Sequence, residues 1–508
     1  MISQRHGNTR NFERELKFAI APQDAGKLKS HPLLTAVRRR EQQLVSTYFD
    51  TAGRVLEKAG MSLRLRTSGD HIIQTLKWQA APSGGLFVRG EYEIERSVPE
   101  PDLGYVRLHC PARLRKELKG PLQPIMYIEV QRTEWPIRWK GGEVSVTLDE
   151  GVILGGTKSQ PIHELEVEHR RGDVRAIFAV ARQIAKAVPL RLEAATKSER
   201  GYRLAGNETG GPEKARPVKL NRSMTVISAF QVIASSCLHH FAVNEAVFVA
   251  ARVPEALHQM RVATRRLLSL ISFCEELFSK QERATLDAEI RRAFKTFGRA
   301  RDLDIVLMAL EKADAREIPL AVLDGLRRKR EAAYARVIDM VTSQRFCLRM
   351  LDLLAFVECG SWAKAESASR RTLGRQQLHI GAARILQRQW KRLGKFGRVS
   401  HLDAKKRHKL RIDAKTFRDT CEFFGDLFTG PKPSRRRKQL LKSLYTLQDA
   451  LGALNDRVSM EEILDQEPGA KGAHLLKLAG LDDVSKRALL ESGGKAQRRL
   501  FEMTPFWV

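Results

Sequence analysis

The sequence predicts two fold classes in succession, α+β and then all-α. Three observations carry this. Between residues 14 and 169, eight short runs alternate in the β manner and are separated by Gly, Pro and Ser clusters. After about residue 218 the pattern becomes long amphipathic segments rich in Ala, Leu, Arg and Lys, with helical periodicity. Between them lies Gly206-Asn207-Glu208-Thr209-Gly210-Gly211-Pro212, followed by Pro217, a turn-rich and apolar-poor stretch suited to a linker. The expected organisation is residues 1–206 as one domain, 207–217 as linker and 218–508 as a helical domain.

The eight runs, in order, are Arg14–Ile20, Gln43–Phe49, Ser62–Thr67, Ile72–Trp78, Arg89–Arg96, Met126–Trp135, Val144–Leu148 and Ile162–His169. Eight strands suffice for a closed antiparallel barrel. Helical stretches at Gln23–Lys29 and Asp173–Ala187 interrupt them. Within strands, side chains alternate between two faces, so Glu13, Glu15 and Lys17 share one face while Phe12, Leu16 and Phe18 share the other. Arg64 and Arg66 lie opposite Leu63 and Leu65, Lys77 alternates with Thr75, and Asp149 with Thr147. Glu91, Glu93 and Glu95 share a face, as do Glu164, Glu166 and Glu168. The Leu and Ile on the opposite faces imply an outer cover of helices. The charges then point inward and line a polar tunnel.

Composition narrows the partners. A chain of 508 residues implies two to four domains. The net charge of +30 points to a polyanion such as nucleic acid, an acidic membrane surface or a phosphate polymer. Residues 1–210 hold 34 Lys and Arg against 25 Asp and Glu, and the rest of the chain holds 55 against 34. Most of the excess is therefore in the helical part. No zinc-finger spacing or aromatic RNA-reading sheet accompanies it, which leaves nonspecific backbone binding as the nucleic-acid expectation. The six cysteines lie far apart without CxxC spacing and read as free thiols of a reducing cytoplasm. No apolar run is expected to span a membrane, and Met1–Arg10 carries no secretion signal.

The tunnel's residue types suggest its chemistry. Clustered carboxylates need intervening cations, and oxygen-only ligands suit Mg²⁺ or Mn²⁺. Facing Arg and Lys side chains grip phosphate oxygens. Together they make a site for phosphoryl transfer. No P-loop or kinase-type Gly-rich sequence is present.

Glu13-x-Glu15-x-Lys17 resembles the ExExK signature of the CYTH superfamily, the triphosphate tunnel metalloenzymes. Later pieces follow in that family's order over roughly residues 10–205. They are Leu63-Arg64-Leu65-Arg66, Thr75-Leu76-Lys77, Glu91-Tyr92, Arg132 before Trp135, Leu148-Asp149-Glu150-Gly151, Glu164-Leu165-Glu166 and Thr196–Tyr202. The resemblance implies an eight-stranded tunnel that hydrolyses triphosphates with Mg²⁺ or Mn²⁺. It implies that Glu13 and Glu15 hold metal and substrate water, with Lys17 beside them in catalysis. Asp149, Glu164 and Glu166 would complete the metal sites, with Glu91 a further acidic member. Lys17, Arg64, Arg66, Lys77, Arg132 and Lys197 would grip the triphosphate. Arg132 shares strand parity with apolar Ile128 and Val130, so Arg138 is the alternative. Glu93, Glu95 and Glu168 read as solvated, and Tyr48 and Asp50 fit the family's strand-loop or a structural role.

The helical part contains an internal repeat, about residues 218–365 and 366–508. Leu257–Arg266 aligns with Arg407–Thr416 at an offset of 150, matching His258 with His408, Arg261 with Arg411, and Arg265 with Lys415. Gly298-x-x-Arg301-Asp302 matches Gly452-x-x-Asn455-Asp456 after a four-residue insertion. Spacing of i, i+3, i+7 puts each set on one helix face. Such a stripe repels metal and suits an anion, with His as a protonatable donor. This part resembles a CHAD domain, which implies binding of inorganic polyphosphate by His258, Arg261, Arg265, Arg266, His408, Arg411 and Lys415. Basic runs at Arg327–Arg330 and Arg435–Lys438 would extend the anion surface or form solvated helix ends.

The expected function is hydrolysis of inorganic triphosphate joined to polyphosphate binding, in the cytoplasm and on polyphosphate granules. The rival readings are class IV adenylate cyclase, thiamine triphosphatase or RNA triphosphatase, and a non-catalytic polyphosphate- or nucleic-acid-binding scaffold.

Overall fold

A computed structural model describes residues 11–79, 85–206, 210–312, 317–364 and 368–508. Nine strands form one antiparallel sheet. They are β1 (Asn11–Ile20), β2 (Arg40–Asp50), β3 (Met61–Ser68), β4 (His71–Gln79), β5 (Leu86–Arg96), β6 (Gln123–Trp139), β7 (Gly142–Gly155), β8 (Lys158–Gly172) and β9 (Leu190–Leu192). The order is β5-β4-β3-β2-β6-β7-β8-β1-β9, and β1 also pairs with β5. Asn11–Leu16 pairs with β5 while Glu15–Ala19 pairs with β8, so one strand closes the eight into a barrel. Short β9 adds to the end of β1. All eight expected strands are present, each longer than its alternating run.

The helices of this part are α1 (Ala25–Lys29), α2 (Pro32–Thr35), α3 (Val55–Lys58), α4 (Leu103–His109), α5 (Ala112–Glu117), α6 (Arg175–Ala185) and α7 (Lys197–Ala205). Outward Met61, Leu63, Leu65 and Leu76 bury against Leu56, Val106, Leu114 and Leu118 of the α3–α5 layer. Outward Val146, Leu148, Leu165 and Val167 are likewise buried, on the strands that α6 packs against with Ile177, Val180 and Ile184. At about 1.5–3 kcal/mol for each fully buried aliphatic side chain, this cover fixes which strand faces look inward. It is also why charges line the interior.

Helix α7 enters the barrel's own inner face. Thr196 and Glu199 form a reciprocal capping box at its start. Tyr202 packs with inward Leu44, Met126, Ile128, Val130, Ile153 and Ile162. Gly201 is required here, because a Cβ on it would lie 1.8 Å from Met126 Sδ. The lumen is therefore apolar where α7 fills it and polar beyond.

The helical elements that follow are α8 (Val226–Ala251), α9 (Pro254–Phe273), α10 (Lys280–Leu310), α11 (Leu320–Val341), α12 (Gln344–Cys359), α13 (Ala368–Arg375), α14 (Leu378–Leu393), α15 (Ala404–Phe424), α16 (Pro431–Leu464), α17 (Gly472–Leu478) and α18 (Asp483–Glu502). Equivalent helices α9 and α15 begin 150 residues apart, and each runs into a short 3₁₀ turn, Glu275–Leu277 and Gly425–Leu427. The starts of α8 and α14 are tied by a bridge between Thr225 and Gln377. Against expectation, α8 is apolar and long enough by composition to cross a membrane, with a mean hydropathy of 1.5 over its best window. Two thirds of that window is buried in the protein, where Phe230, Ile233, Leu238 and Phe248 form core. None of the six cysteines forms a disulfide among the described residues, and all but Cys359 are buried.

The compact units do not divide at the linker alone. One comprises the chain up to Pro212 together with Val341–Cys359, and the other Glu213–Met340 with Gly360–Val508. Within the first unit α12 packs on α6 and β9, burying Leu351, Leu354 and Val357. Arg182 Nη1 meets Asp352 Oδ1 at 2.5 Å.

Candidate active site

The barrel encloses a cavity of about 200 Å³. Glu13, Glu15 and Lys17 of β1 line it, with Ser46 and Tyr48 of β2, Arg64 and Arg66 of β3, and Thr75 and Lys77 of β4. The remaining strands add Arg89, Glu91 and Glu93 of β5, Arg132 of β6, Asp149 of β7, and Glu166 and Glu168 of β8, while α7 inserts Lys197 and Ser198. Glu164 lies behind them, almost fully buried. All the residues expected in the tunnel thus meet there. Arg138, the alternative to Arg132, is an exposed hairpin residue that pairs with Glu143. The parity of Arg132 with Ile128 and Val130 is real, and those two face inward because α7 packs over them.

The carboxylates are tied to cations in a continuous network. Glu13 accepts from Lys77 at 2.7 Å and Arg89 at 3.3 Å, and Arg89 also binds Glu15. Lys77 reaches Glu91 at 2.9 Å. Lys17 binds Glu166, with Glu15 at 3.1 Å and Glu164 at 3.4 Å. Lys197 binds Glu164 at 2.5 Å, Glu166 at 2.8 Å and Asp149 at 2.9 Å. Arg132 clasps Asp149 with two bonds of 2.7 Å, and Arg200 holds Glu164 at 2.6 Å. Burial alone would raise the Glu13 carboxyl, but Lys77 and Arg89 outweigh it and hold it well below the usual range. The same balance, struck by Lys197 and Arg132, holds Asp149 at about 2.

Two groups of charge are only partly compensated, although Glu168 pairs with Arg170 at 2.9 Å. Among the described residues Arg66 has no carboxylate within ion-pair distance, only Ser46 at 3.4 Å. Burial, Arg64 and Arg132 push its guanidinium down to about 9. Arg64 bonds Thr75 at 3.1 Å and reaches Glu93 only at 4.0 Å, leaving its Nε buried without a partner. On the acidic side, burial and then Glu13 push Glu168 up to about 8, with Glu15 adding to the effect. Glu168 was read as solvated, yet it faces the tunnel. Glu95 is solvated as expected, against His71.

Among the described residues no three acidic, imidazole or thiol groups converge tightly enough to hold a metal by themselves. The donor chemistry still fits a hard divalent cation, being all carboxylate oxygen. The surplus negative charge felt by Glu168 beside Glu13 and Glu15 is what such a cation would relieve. Arg89 and Arg200 escaped the sequence reading. Arg89 has the parity of Glu91 on the same run, and that was the available signal. Arg200 lies on α7, whose helical period gave no tunnel face to read.

In the second unit the two stripes converge on one cluster. Arg261 lies in the fields of Asp302, Arg411, Arg301 and Arg265, and its guanidinium covers the Phe294 ring at 4.7 Å. Arg411 faces Asp456, Arg265 and Asp302. Burial, with Arg411, Arg265 and Arg418, pushes the Lys415 ammonium down to about 6. Arg261 Nη1 and the Nε atoms of Arg265, Arg411 and Arg418 are buried without hydrogen-bond partners. Burial, then Arg301, pushes His258 down to about 4, so it is neutral at neutral pH rather than a cation. His408 is bound to Asn455 at 2.9 Å. Arg266 is engaged elsewhere, paired with Glu422 at 2.8 Å and stacked on Phe423. The outlying basic runs have local partners, Lys329 with Glu467 and Arg437 with Asp426.

A closed antiparallel barrel with a charged lumen, followed by a helical region with a paired basic stripe, defines a two-domain class. Residues 11–202 match the CYTH domain and residues 232–465 the CHAD domain, so the chain carries a CYTH domain followed by a CHAD domain. Over its CYTH region it is similar to the inorganic triphosphatase of Haemophilus influenzae (strain ATCC 51907 / DSM 11121 / KW20 / Rd). The identity is 30% over 200 residues, covering 39% of this chain and 56% of that protein. It therefore spans little more than half of that relative. It is 26% identical over 389 residues to an uncharacterized protein of Mycobacterium tuberculosis (strain CDC 1551 / Oshkosh), covering 68% of this chain and 69% of that one. A crystal structure of the CHAD domain from the plant Ricinus communis aligns with a TM-score of 0.47 at 24% identity, over 57% of this chain and 97% of that chain.

Proposed function

We propose that the tunnel hydrolyses inorganic triphosphate with Mg²⁺ or Mn²⁺, and that the helical domain binds inorganic polyphosphate. The observation that carries the first part is the Arg64–Arg66 pair, largely buried and lining the tunnel, with no carboxylate within ion-pair distance of Arg66 among the described residues and only Glu93, at 4.0 Å, near Arg64. Guanidinium groups with so little carboxylate compensation in a largely desolvated lumen call for a polyanion, and their forked donors match phosphoryl oxygens. Lys17, Lys77, Arg89, Arg132 and Lys197 are shared with acids and would pass to the phosphate chain as it enters. Glu13, Glu15 and Glu168, with Glu91, Asp149, Glu164 and Glu166 in the same lumen, would hold the metal. A bound divalent cation supplies charge neutralisation and an activated water. The similarity to an inorganic triphosphatase supports this substrate over nucleoside or thiamine triphosphates.

The polyphosphate reading rests on Arg261 Nη1, Arg265 Nε and Arg411 Nε, buried without hydrogen-bond partners in one cluster, while Arg265 Nη2 pairs with Asp419 at 3.2 Å. Hydrolysis of tripolyphosphate, ATP, thiamine triphosphate and long-chain polyphosphate with Mg²⁺ or Mn²⁺ tests the assignment. Tripolyphosphate should be preferred, and the preference should vanish in Arg64→Ala/Arg66→Ala. Faster turnover of a nucleotide or of thiamine triphosphate would overturn it.

A further inference from the structure

Where α9 packs on α15, the two repeats are not equivalent. At the offset of 150 residues, Arg265 of α9 matches Lys415 of α15, and Ser269 matches Asp419. The second matched pair meets directly, Ser269 Oγ donating to Asp419 Oδ2 at 2.9 Å. Arg265 Nη2 lies 3.2 Å from Asp419 Oδ1, so the cation of the first repeat is held by an acid of the second. The reciprocal acid does not exist, because Ser269 stands in its place. Among the described residues Lys415 accordingly has no carboxylate within ion-pair distance.

Its surroundings are cationic. Arg411 and Arg418 flank it on α15, Arg265 reaches it from α9, and Asp456 of α16 supplies the opposing charge. Arg418 is engaged by Glu422 at 3.3 Å, and Arg411 also faces Asp302 of α10. Burial and the three guanidinium groups hold the Lys415 amine at about 6, so at pH 7.5 it is largely uncharged. A guanidinium in its position would keep its charge, whereas an ammonium can shed a proton. The second repeat thus carries a titratable group where the first carries a permanent cation.

An incoming polyanion reverses this balance. Negative charge beside the amine favours its charged form and offsets the neighbouring guanidinium groups. We propose that anion binding at this cluster is coupled to uptake of one proton by Lys415, so that pH regulates the site. This inference rests on the reading that the helical domain binds polyphosphate. The sign follows from linkage. The filled site holds one proton more than the empty one, so affinity falls as pH rises above the transition of the empty site.

The test measures binding of long-chain polyphosphate to the full chain by calorimetry in EDTA, at pH 7.5 and 8.5. These values lie above the ordinary histidine range, which keeps His408 out of the comparison. Repeating each titration in buffers of different ionisation enthalpy counts the protons taken up. The native chain should take up about one proton more than Lys415→Arg or Lys415→Met. Between the two pH values its affinity should fall by up to about tenfold relative to the arginine variant, the slope of one linked proton. Lys415→Met, which keeps an apolar stem without the amine, should also bind more weakly than the native chain at pH 7.5. Equal uptake by the native chain and a folded variant, with binding still weakened in Arg261→Ala/Arg411→Ala, would overturn the coupling and leave the polyphosphate reading standing. Failure of the native chain to bind polyphosphate, or binding undiminished by the arginine changes, would overturn both.

Discussion

Arg132 and Asp149 sit directly opposite on β6 and β7, joined by Nε–Oδ1 and Nη2–Oδ2 bonds of 2.7 Å each. Asp149 has no exposed surface, so its charge depends on this clasp and on Lys197. Removing one partner strands the other, which costs about 3–5 kcal/mol for buried pairs. Asp149→Ala should therefore lower stability by that order in denaturant unfolding. The folded state holds the carboxyl at about 2, below its unfolded value near 4. Its contribution is thus full above pH 4 and is lost as pH falls through 2. Asp149→Asn should flatten the stability profile across that window.

Glu13 bridges Lys77 and Arg89 beside Glu15 and Glu168. Glu13→Gln should cut metal-dependent turnover about 100-fold or more, as removal of a preorganised charge does. It should also destabilise the metal-free barrel, since both cations lose part of their compensation. Near-native turnover at saturating Mn²⁺, measured by phosphate release, would rule Glu13 out as a ligand.

The convergence of Arg261 and Arg411 on one cluster gives the helical domain a single test. Arg261→Ala/Arg411→Ala should weaken long-chain polyphosphate binding and flatten its salt dependence by about two contacts. The same pair should matter less for duplex DNA of equal charge. An unchanged salt slope for polyphosphate would make the cluster structural. Because His258 is held at about 4, it should add nothing to affinity between pH 8 and 6.

Helix α12 alters what a fragment experiment should give. A barrel cut at the linker loses Leu351, Leu354 and Val357 from its α6–β9 surface, each carrying about 1.5–3 kcal/mol of burial. Residues 1–212 alone should melt several degrees below the barrel in the full chain and bind apolar dye. Adding a peptide of residues 341–359 should restore part of the loss. Equal melting without the peptide would show that α12 is dispensable.

Strict alternation made the barrel legible. Glu13-x-Glu15-x-Lys17 and Arg64-x-Arg66 declare their inner face because leucines occupy the other, and the outer helices need those leucines. Legibility failed where a second element shares a face. The inner face of β6 is apolar at Ile128 and Val130 because α7 enters the lumen, and this left Arg132 ambiguous. The segment Thr196–Tyr202 was readable as a motif, but not as the helix that supplies Lys197 and Arg200. The affiliation of α12 had no sequence signal, since an apolar stripe is the same whether it meets a helix bundle or a barrel.

The division of the chain also sets a timetable for synthesis. Residues through Pro212 leave the ribosome first, yet the helix that completes their unit ends at Cys359. At about 5–20 residues per second, the nascent barrel waits roughly 7–30 s with its α6–β9 surface uncovered. Throughout that interval a chaperone has an apolar target on an otherwise finished barrel, and a ribosome stalled near residue 340 would release a protein with an assembled tunnel and an exposed flank.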